Sequence, residues 1–299
     1  EKNEYTIIKL QYEKPGQYIV VATLRPETMF GQTNIWVDSE TEYAKMQVGE
    51  ELWIASKEFA EKLKYQKDEN IQVIGHIRGR AMLGTYCFAP YVNREIPILP
   101  ARFCDPAVGT GIVTSVPSDA PADWIGLYDL QRSKEECEKY GLDFEKIKAI
   151  KPISIIKSKD FGEFPAINIC KKYCITSQDD IEKLELAKKE VYKKGFHTGV
   201  LLPSCGEFAG MKVEDAKNKM KQDLLSKNLA DVFYDLSEEV VCRCGCKVVI
   251  KKIPDQWFID YSNKELTERT KKHIDAKTIL PEQFRQNLPF ILDWFDKRA

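Results

Sequence analysis

Histidine is scarce: His76, His197 and His273 are the only three in 299 residues, and each stands alone in sequence. A Ser-His-Asp triad or a site of several imidazoles has little to be built from. Gly-x-x-x-x-Gly-Lys-Ser/Thr, Gly-x-Ser-x-Gly and His-Glu-x-x-His are absent, so the phosphate-cradling loop, the hydrolase elbow and the helix-borne zinc protease site are excluded. No apolar run approaches the ~18 residues of a membrane span. No charged-then-apolar leader opens the chain. A basic excess is missing too: the net charge is −1, which gives no general grip on a long RNA backbone. If RNA is a substrate, only its tip need enter. The nine cysteines are an odd number scattered through a chain large enough to bury a core, which favours reduced thiols over a disulfide framework. The chain starts at Glu1 and is expected to be a piece of something longer.

What is present is an ordinary globular composition, 43% hydrophobic and 30% charged, with length for about two folding units. Residues 5–10, 17–24, 35–37, 51–54, 71–77, 96–99 and 111–116 read as strands, and Ser56 reads as the hydroxyl cap of a short helix. Residues 119–140 turn helical, with Trp124, Leu127 and Leu130 at helical spacing. Residues 151–173 are broken by Pro and Gly and read as irregular. An amphipathic helix is expected over 179–194, with Ile181, Leu184, Ala187, Val191 and Tyr192 on one face and Gly195 as its left-handed cap. Another spans about 213–229. Near residue 237 the character changes: cysteines cluster, residues 248–250 read as a strand, and the tail is helical and rich in aromatics.

Two segments carry candidate chemistry. In Thr23-Leu24-Arg25-Pro26-Glu27-Thr28, Pro26 ends a strand, two hydroxyls and a planar cation follow one another, and Gly31 permits a sharp turn. In residues 109–123, Gly109 and Gly111 allow close backbone approach to a ligand. A strand there delivers Thr114, Ser115 and Val116 to one sheet end. Asp119 and Asp123 lie one helical turn apart and share a face. A carboxylate there can hold an ammonium or position water. By pattern alone, a capped strand-to-helix turn and an acidic helix start are the favoured accounts of the two segments.

Taken together, residues 22–37 (ATLRPETMFGQTNIWV) and 109–121 (GTGIVTSVPSDAP) resemble the editing insertion of leucyl-tRNA synthetases, above all the cytosolic, eukaryotic branch. Ser177-Gln178-Asp179-Asp180, Lys194-Gly195-Phe196 and Asp255-Gln256-Trp257-Phe258 extend the likeness over almost the whole chain. The resemblance implies an α/β fold with a twisted, β-barrel-like core surrounded by helices. It implies an editing domain over 1–236, with a helical insertion at about 124–195, and a segment over 237–299 that returns to a class I catalytic core. The ATP-site signatures of that core are missing.

The implied activity is hydrolysis of the aminoacyl ester of mischarged tRNA(Leu), bearing norvaline, isoleucine or a similar residue, with no cofactor, in the cytoplasm. The implied partners are the tRNA 3′ terminal adenosine and the parent catalytic core, with no membrane. Asp123 falls on the family's essential carboxylate, which holds the α-ammonium. As an exposed Asp of pKa ~3.9 it would be ionised. Thr28 falls on the threonine that rejects leucine by its bulk. Thr23, Leu24, Arg25, Thr114, Ser115, Val116 and Asp119 are the implied substrate-binding residues. Leu24 stands where bacterial relatives have threonine, Asp119 where many have His, and Ala122 where cytosolic members commonly have Asp. Cys242, Cys244 and Cys246 could form part of a zinc site, with Cys205 as a further candidate, although Cys-x-Cys-x-Cys is not the usual ligand spacing. The alternatives are a non-catalytic tRNA-docking module and a zinc-stapled interaction domain.

Overall fold

The computed structural model describes residues 1–67, 70–157, 160–295, 297 and 298, with backbone alone at 194–198 and 297–298. Its contacts fall into two compact units, Glu1–Lys251 and Lys252–Ala299. The first is mixed α/β around a ten-stranded sheet. The strands are β1 (Lys2–Tyr12), β2 (Gln17–Thr23), β3 (Asn34–Val37), β4 (Glu42–Val48), β5 (Glu51–Ser56), β6 (Gln72–Arg78), β7 (Tyr86–Ala89), β8 (Arg94–Pro100) and β9 (Val113–Ser115). A short ribbon outside the sheet pairs β10 (Ile156–Lys157) with β11 (Val200–Leu201), and β12 (Ala230–Leu236) completes the sheet.

The order is β6-β4-β5-β2-β1-β7-β8-β3-β9, with β12 also on β1. One flank of β1 is thus shared. Residues 2–8 pair with β12, and only Gln11 and Tyr12 pair with β7. That divided pairing lets the sheet curl strongly. The loop before β9 returns to the sheet's middle, where the Ser56 N–H donates to the Thr110 carbonyl at 2.8 Å and the Ala22 N–H donates to Thr110 Oγ1 at 3.2 Å.

Strand alternation divides the apolar residues between two sides. Ile8, Leu10, Ile19, Val21, Ile35 and Ile54 face one core, shared with Met220 and Leu224 of a long helix. Ile7, Val20, Trp53 and Ala55 face a second core beside Phe59 and Phe233. Both faces of these strands are therefore covered, so Tyr18–Ala22 reads as a continuous apolar run and not as an alternation.

The helices are α1 (Lys57–Leu63), α2 (Gly79–Met82), α3 (Pro121–Arg132), α4 (Lys134–Lys139), α5 (Phe144–Ala149), α6 (Pro165–Lys172), α7 (Ile181–Thr198) and α8 (Val213–Ser226). As expected, Ser56 caps α1, its Oγ accepting from the Phe59 N–H at 3.1 Å. The helix expected over 119–140 is instead two, because Ser133 interrupts it and caps α4. The stretch expected to be irregular contains α6. Pro165 occupies its first turn, where proline starts a helix and does not break one. α7 does not stop at Gly195 but continues to Thr198, and Ile181 on its expected core face is 68% exposed. The side chains of Gly195's neighbours and of His197 lie outside the described residues.

Residues 248–250 form no strand. A tight hairpin stands there, bridged at Val241 and Lys247, with Gly245 at a φ of 81°. The second unit contains α9 (Lys264–Asp275) and α10 (Gln283–Leu292), with Trp257, Leu280, Phe290 and Trp294 exposed. Among the described residues no helix is long and apolar enough to cross a membrane.

Candidate active site

The two sequence motifs meet through three local devices. Pro26 sits in the first turn of a 3-10 helix, Pro26–Gly31, directly after β2. Gly109 has a φ of +56°, and a Cβ on it would stand 2.8 Å from the Ala22 Cβ. Gly111 has a φ of +69°, and its Cβ would stand 2.7 Å from that of Ser56. Both glycines therefore admit close approach of the protein to itself. Thr110 Oγ1 then accepts from the Ala22 N–H, an anchoring role that no local pattern signals.

A cavity of about 440 Å³ opens where these segments join. Thr23, Leu24, Arg25 and Thr28 line it from the first motif, and Thr114, Val116, Asp119 and Asp123 from the second. Ser115 is the exception: it is fully buried with its hydroxyl unpartnered and does not line the cavity, because strand alternation turns it away from Thr114 and Val116. Thr114 lines the cavity, but its Oγ1 is buried without a partner. Leu24, 38% exposed, presents an apolar rim.

Asp123 lies in the first turn of α3 and is 5% exposed. Its Oδ2 accepts from the Val116 N–H at 2.7 Å and its Oδ1 from Trp36 Nε1 at 3.1 Å. The expectation of an exposed, ordinary carboxylate is thus wrong. Burial pushes its pKa up to about 7, against the lowering pull of those two donors and of the Lys188 charge. Asp119 is not one helical turn below Asp123 on a shared helix, since it precedes α3 in a turn, yet it lines the same cavity. Ser118 Oγ donates to it at 2.6 Å, and burial raises it to about 6.

Arg25 points its Nε at the fully buried Glu27, 2.9 Å away, while its Nη2 and Glu27 Oε2 are sealed without partners. Thr28 Oγ1 donates to the Arg25 carbonyl at 2.8 Å, and Thr23 Oγ1 accepts from the Arg25 N–H at 3.0 Å. These bonds fix the Thr28 side chain against the turn, so its bulk occupies one place in the cavity.

The opposite wall comes from α7: Leu184, Glu185, Lys188 and Tyr192 line the cavity. The helix was legible in the sequence but this role was not, since an amphipathic period signals burial without saying against what. A separate cleft of about 420 Å³, lined by Arg102, Asp129, Arg132 and Gln178, holds none of the motif residues.

Among the described residues the only cluster of metal-ligand type is Cys242, Cys244 and Cys246, whose sulfurs lie within 4.8 Å of one another. Cys242 and Cys244 are joined as a disulfide, which departs from the expectation of free thiols throughout; seven cysteines remain free. Cys205 is buried in the main core, its Sγ donating to the Ile155 carbonyl at 3.5 Å, and does not join the cluster.

Residues 2–131 match the family profile of the leucyl-tRNA synthetase editing domain. Leucine–tRNA ligase of Archaeoglobus fulgidus is 41% identical over 297 residues, which are 99% of this chain and 32% of that protein. The Pyrococcus horikoshii enzyme is 42% identical over 303 residues, covering 99% and 31%. The chain therefore spans about a third of the length of these relatives. The crystal structure of GlLeuRS-CP1 aligns with a TM-score of 0.68 and 32% identity, over 77% of this chain and 98% of that one. The editing domain of Plasmodium knowlesi cytosolic leucyl-tRNA synthetase shares the fold, with a TM-score of 0.69 and 21% identity over 78% and 96%. With the two motifs joined at one cavity and these likenesses over nearly its whole length, the chain belongs to the leucyl-tRNA synthetase editing-domain family.

Proposed function

We propose that the cavity hydrolyses the ester joining a noncognate amino acid to the terminal ribose of tRNA(Leu). The observation that carries this reading is Asp123: a buried carboxylate, held by a backbone N–H and an indole N–H, on the same cavity as Thr28. An α-ammonium entering beside Asp123 draws its pKa back down and is held as an ion pair. Water then attacks the ester carbonyl, and the chain supplies no covalent nucleophile. Thr28 sets how much side chain fits. Such a second site is needed because one methylene discriminates by only about 1–3 kcal/mol in a binding pocket. The first turn of α3, which no side chain caps, adds the positive end of a helix beside the forming oxyanion.

The partners in this reading are the 3′ terminal adenosine of tRNA(Leu) and the catalytic core of a parent synthetase, in the cytoplasm. The near-neutral charge agrees with a domain that admits a tip and not a long stem. The hydrolysis needs no cofactor. Zinc on Cys242, Cys244 and Cys246 would be structural, and would need the Cys242–Cys244 disulfide reduced and a further ligand. A non-catalytic docking module is not favoured, because a docking surface has no use for a buried, pKa-raised carboxylate inside a sized pocket.

The test is deacylation of isoleucyl- and norvalyl-tRNA(Leu) by the 299-residue chain. Turnover is expected, with leucyl-tRNA(Leu) spared. Asp123→Asn keeps an acceptor for only one of the two buried N–H groups and removes the charge, and is expected to cut turnover at least about 100-fold, as loss of a charge-stabilising group does. A folded Asp123→Asn variant that turns over at the wild-type rate would defeat the assignment.

A further inference from the structure

α7 supplies the wall that the two sequence motifs do not. Leu184, Lys188 and Tyr192 recur every four residues, which places them on one stripe of the helix, and all three line the cavity. The Tyr192 ring lies over the Arg25 guanidinium, 5.0 Å from ring centroid to Cζ. That stacking holds the ring of this cavity-lining residue in place through a cation–π contact.

Following each polar proton around the cavity shows which donors are already taken. The Thr28 hydroxyl donates to the Arg25 carbonyl, and the Ser118 hydroxyl to Asp119. The Val116 N–H and the Trp36 indole N–H are both taken by Asp123. Arg25 Nε is taken by Glu27, and Arg25 Nη2 is sealed. Lys188 stands at the exposed rim, 3.4 Å from Glu185. Thr23 already accepts from the Arg25 N–H, and its proton and those of Thr114, Tyr5 and Tyr192 have no protein acceptor among the described residues. Thr114 Oγ1 is sealed, and Tyr5 accepts from Asn3 with Asp235 as its charged neighbour, whereas Tyr192 stands over Arg25 with Asp123 and Asp119 near it.

We propose that Tyr192 is a catalytic residue of this site, its phenol donating a hydrogen bond to the ester carbonyl oxygen as that oxygen becomes an oxyanion. The inference rests on the deacylase reading given above. As water adds to the carbonyl carbon, the C=O π pair moves onto oxygen, and the phenol stabilises it without giving up its proton. Collapse re-forms the C=O bond and breaks the bond to the ribose oxygen. That oxygen takes the proton the water gives up, releasing the amino acid and a free ribose hydroxyl. Burial, with Asp123 and Asp119 nearby, raises the phenol's pKa, so it remains a donor throughout the neutral range. The role falls on a helix outside both sequence motifs, and it explains why an aromatic residue with a polar tip stands where packing alone would accept leucine.

The test is Tyr192→Phe in the 299-residue chain, which keeps the ring over Arg25 and removes only the hydroxyl. In steady-state deacylation of isoleucyl-tRNA(Leu), kcat is expected to fall about 100-fold with KM within about twofold, the size expected for loss of one oxyanion donor. The melting temperature is expected to match wild type. A kcat within about twofold of wild type overturns the proposal, as does a change confined to KM. Wild-type chain without turnover overturns the deacylase reading and this proposal with it. Wild-type turnover that Tyr192→Phe retains overturns the phenol's role alone.

Discussion

The cavity's two walls use their polar groups in opposite ways. On the sheet side, Thr23, Arg25, Thr28, Val116, Ser118, Asp119 and Asp123 are bonded mainly to one another and to nearby backbone. On the α7 side, among the described residues, Lys188 pairs with Glu185 at 3.4 Å while half exposed, and the Tyr192 hydroxyl has no acceptor. A wall whose groups satisfy each other holds positions: changing one residue moves its neighbours, and the effect is on which substrate fits. A wall with open groups contributes contacts: changing one residue alters rate or affinity and leaves the fold alone. Substitutions on the two sides should therefore differ in kind as well as in size.

Thr28→Ala gives the largest effect expected on the sheet side. It removes the bulk fixed against the Arg25 carbonyl and nothing on the α7 wall. Leucyl-tRNA(Leu) deacylation is expected to rise roughly 10- to 200-fold, the range that one methylene commands in a pocket, while isoleucyl-tRNA(Leu) turnover changes little. A variant that still spares leucyl-tRNA would show that size selection lies elsewhere, and would blur the division between the walls.

The sheet-side wall was legible in the sequence and the helical wall was not, for a physical reason. Pro26, Gly31, Gly109 and Gly111 constrain local backbone, so a short segment carries its own geometry. Tyr192 carries no such constraint. Its position on α7 fits core packing as well as cavity lining, and only the tertiary placement of α7 against α3 and the Arg25 turn separates the two. Ser115 erred in the other direction: it lies within the motif, but the twofold alternation of β9 turns it inward. Asp123 lines the cavity but is buried where an exposed carboxylate was expected, because nothing local says that Trp36, 87 positions away, closes over it. The ten-stranded sheet was foreseen as a barrel-like core. The sharing of β1 between β7 and β12 was not, since pairing partners so distant in sequence leave no local pattern.

Trp36→Phe sharpens the comparison by acting on the sheet wall through charge. It keeps the ring in its core and deletes the indole N–H that donates to Asp123 at 3.1 Å. In the free chain the Asp123 pKa is about 7, so kcat/KM for deacylation is expected to rise with pH to a plateau just above 7. It should fall again above roughly 8 as the substrate ammonium deprotonates. Losing a donor that favours the carboxylate moves the acid limb to higher pH, and activity at pH 6 drops more than activity at pH 8. The stability signature has a definite sign as well. The folded-state pKa lies above the unfolded value of ~3.9, so the folded chain binds the extra proton between those limits and loses stability as pH rises through that window. Trp36→Phe steepens the loss, and thermal melts across pH 4 to 8 measure it.

Lys188→Ala is expected to give the smallest effect and tests the helical wall alone. Lys188 lowers the Asp123 pKa through its charge, by less than either the Val116 or the Trp36 hydrogen bond does. Its removal should move the acid limb upward, in the same direction as Trp36→Phe but less far. The mechanism predicts one further difference. Lys188 is half exposed, and its field crosses a solvent-filled cavity, so salt screens it. The Trp36 hydrogen bond is buried and is not screened. Raising ionic strength from about 0.05 to 0.5 M should therefore carry the wild-type pH profile onto that of Lys188→Ala, while the Trp36→Phe profile keeps its displacement from both. If salt leaves the wild-type profile in place, or closes the Trp36→Phe gap, the contrast between a bonded wall and an open one does not hold for Asp123.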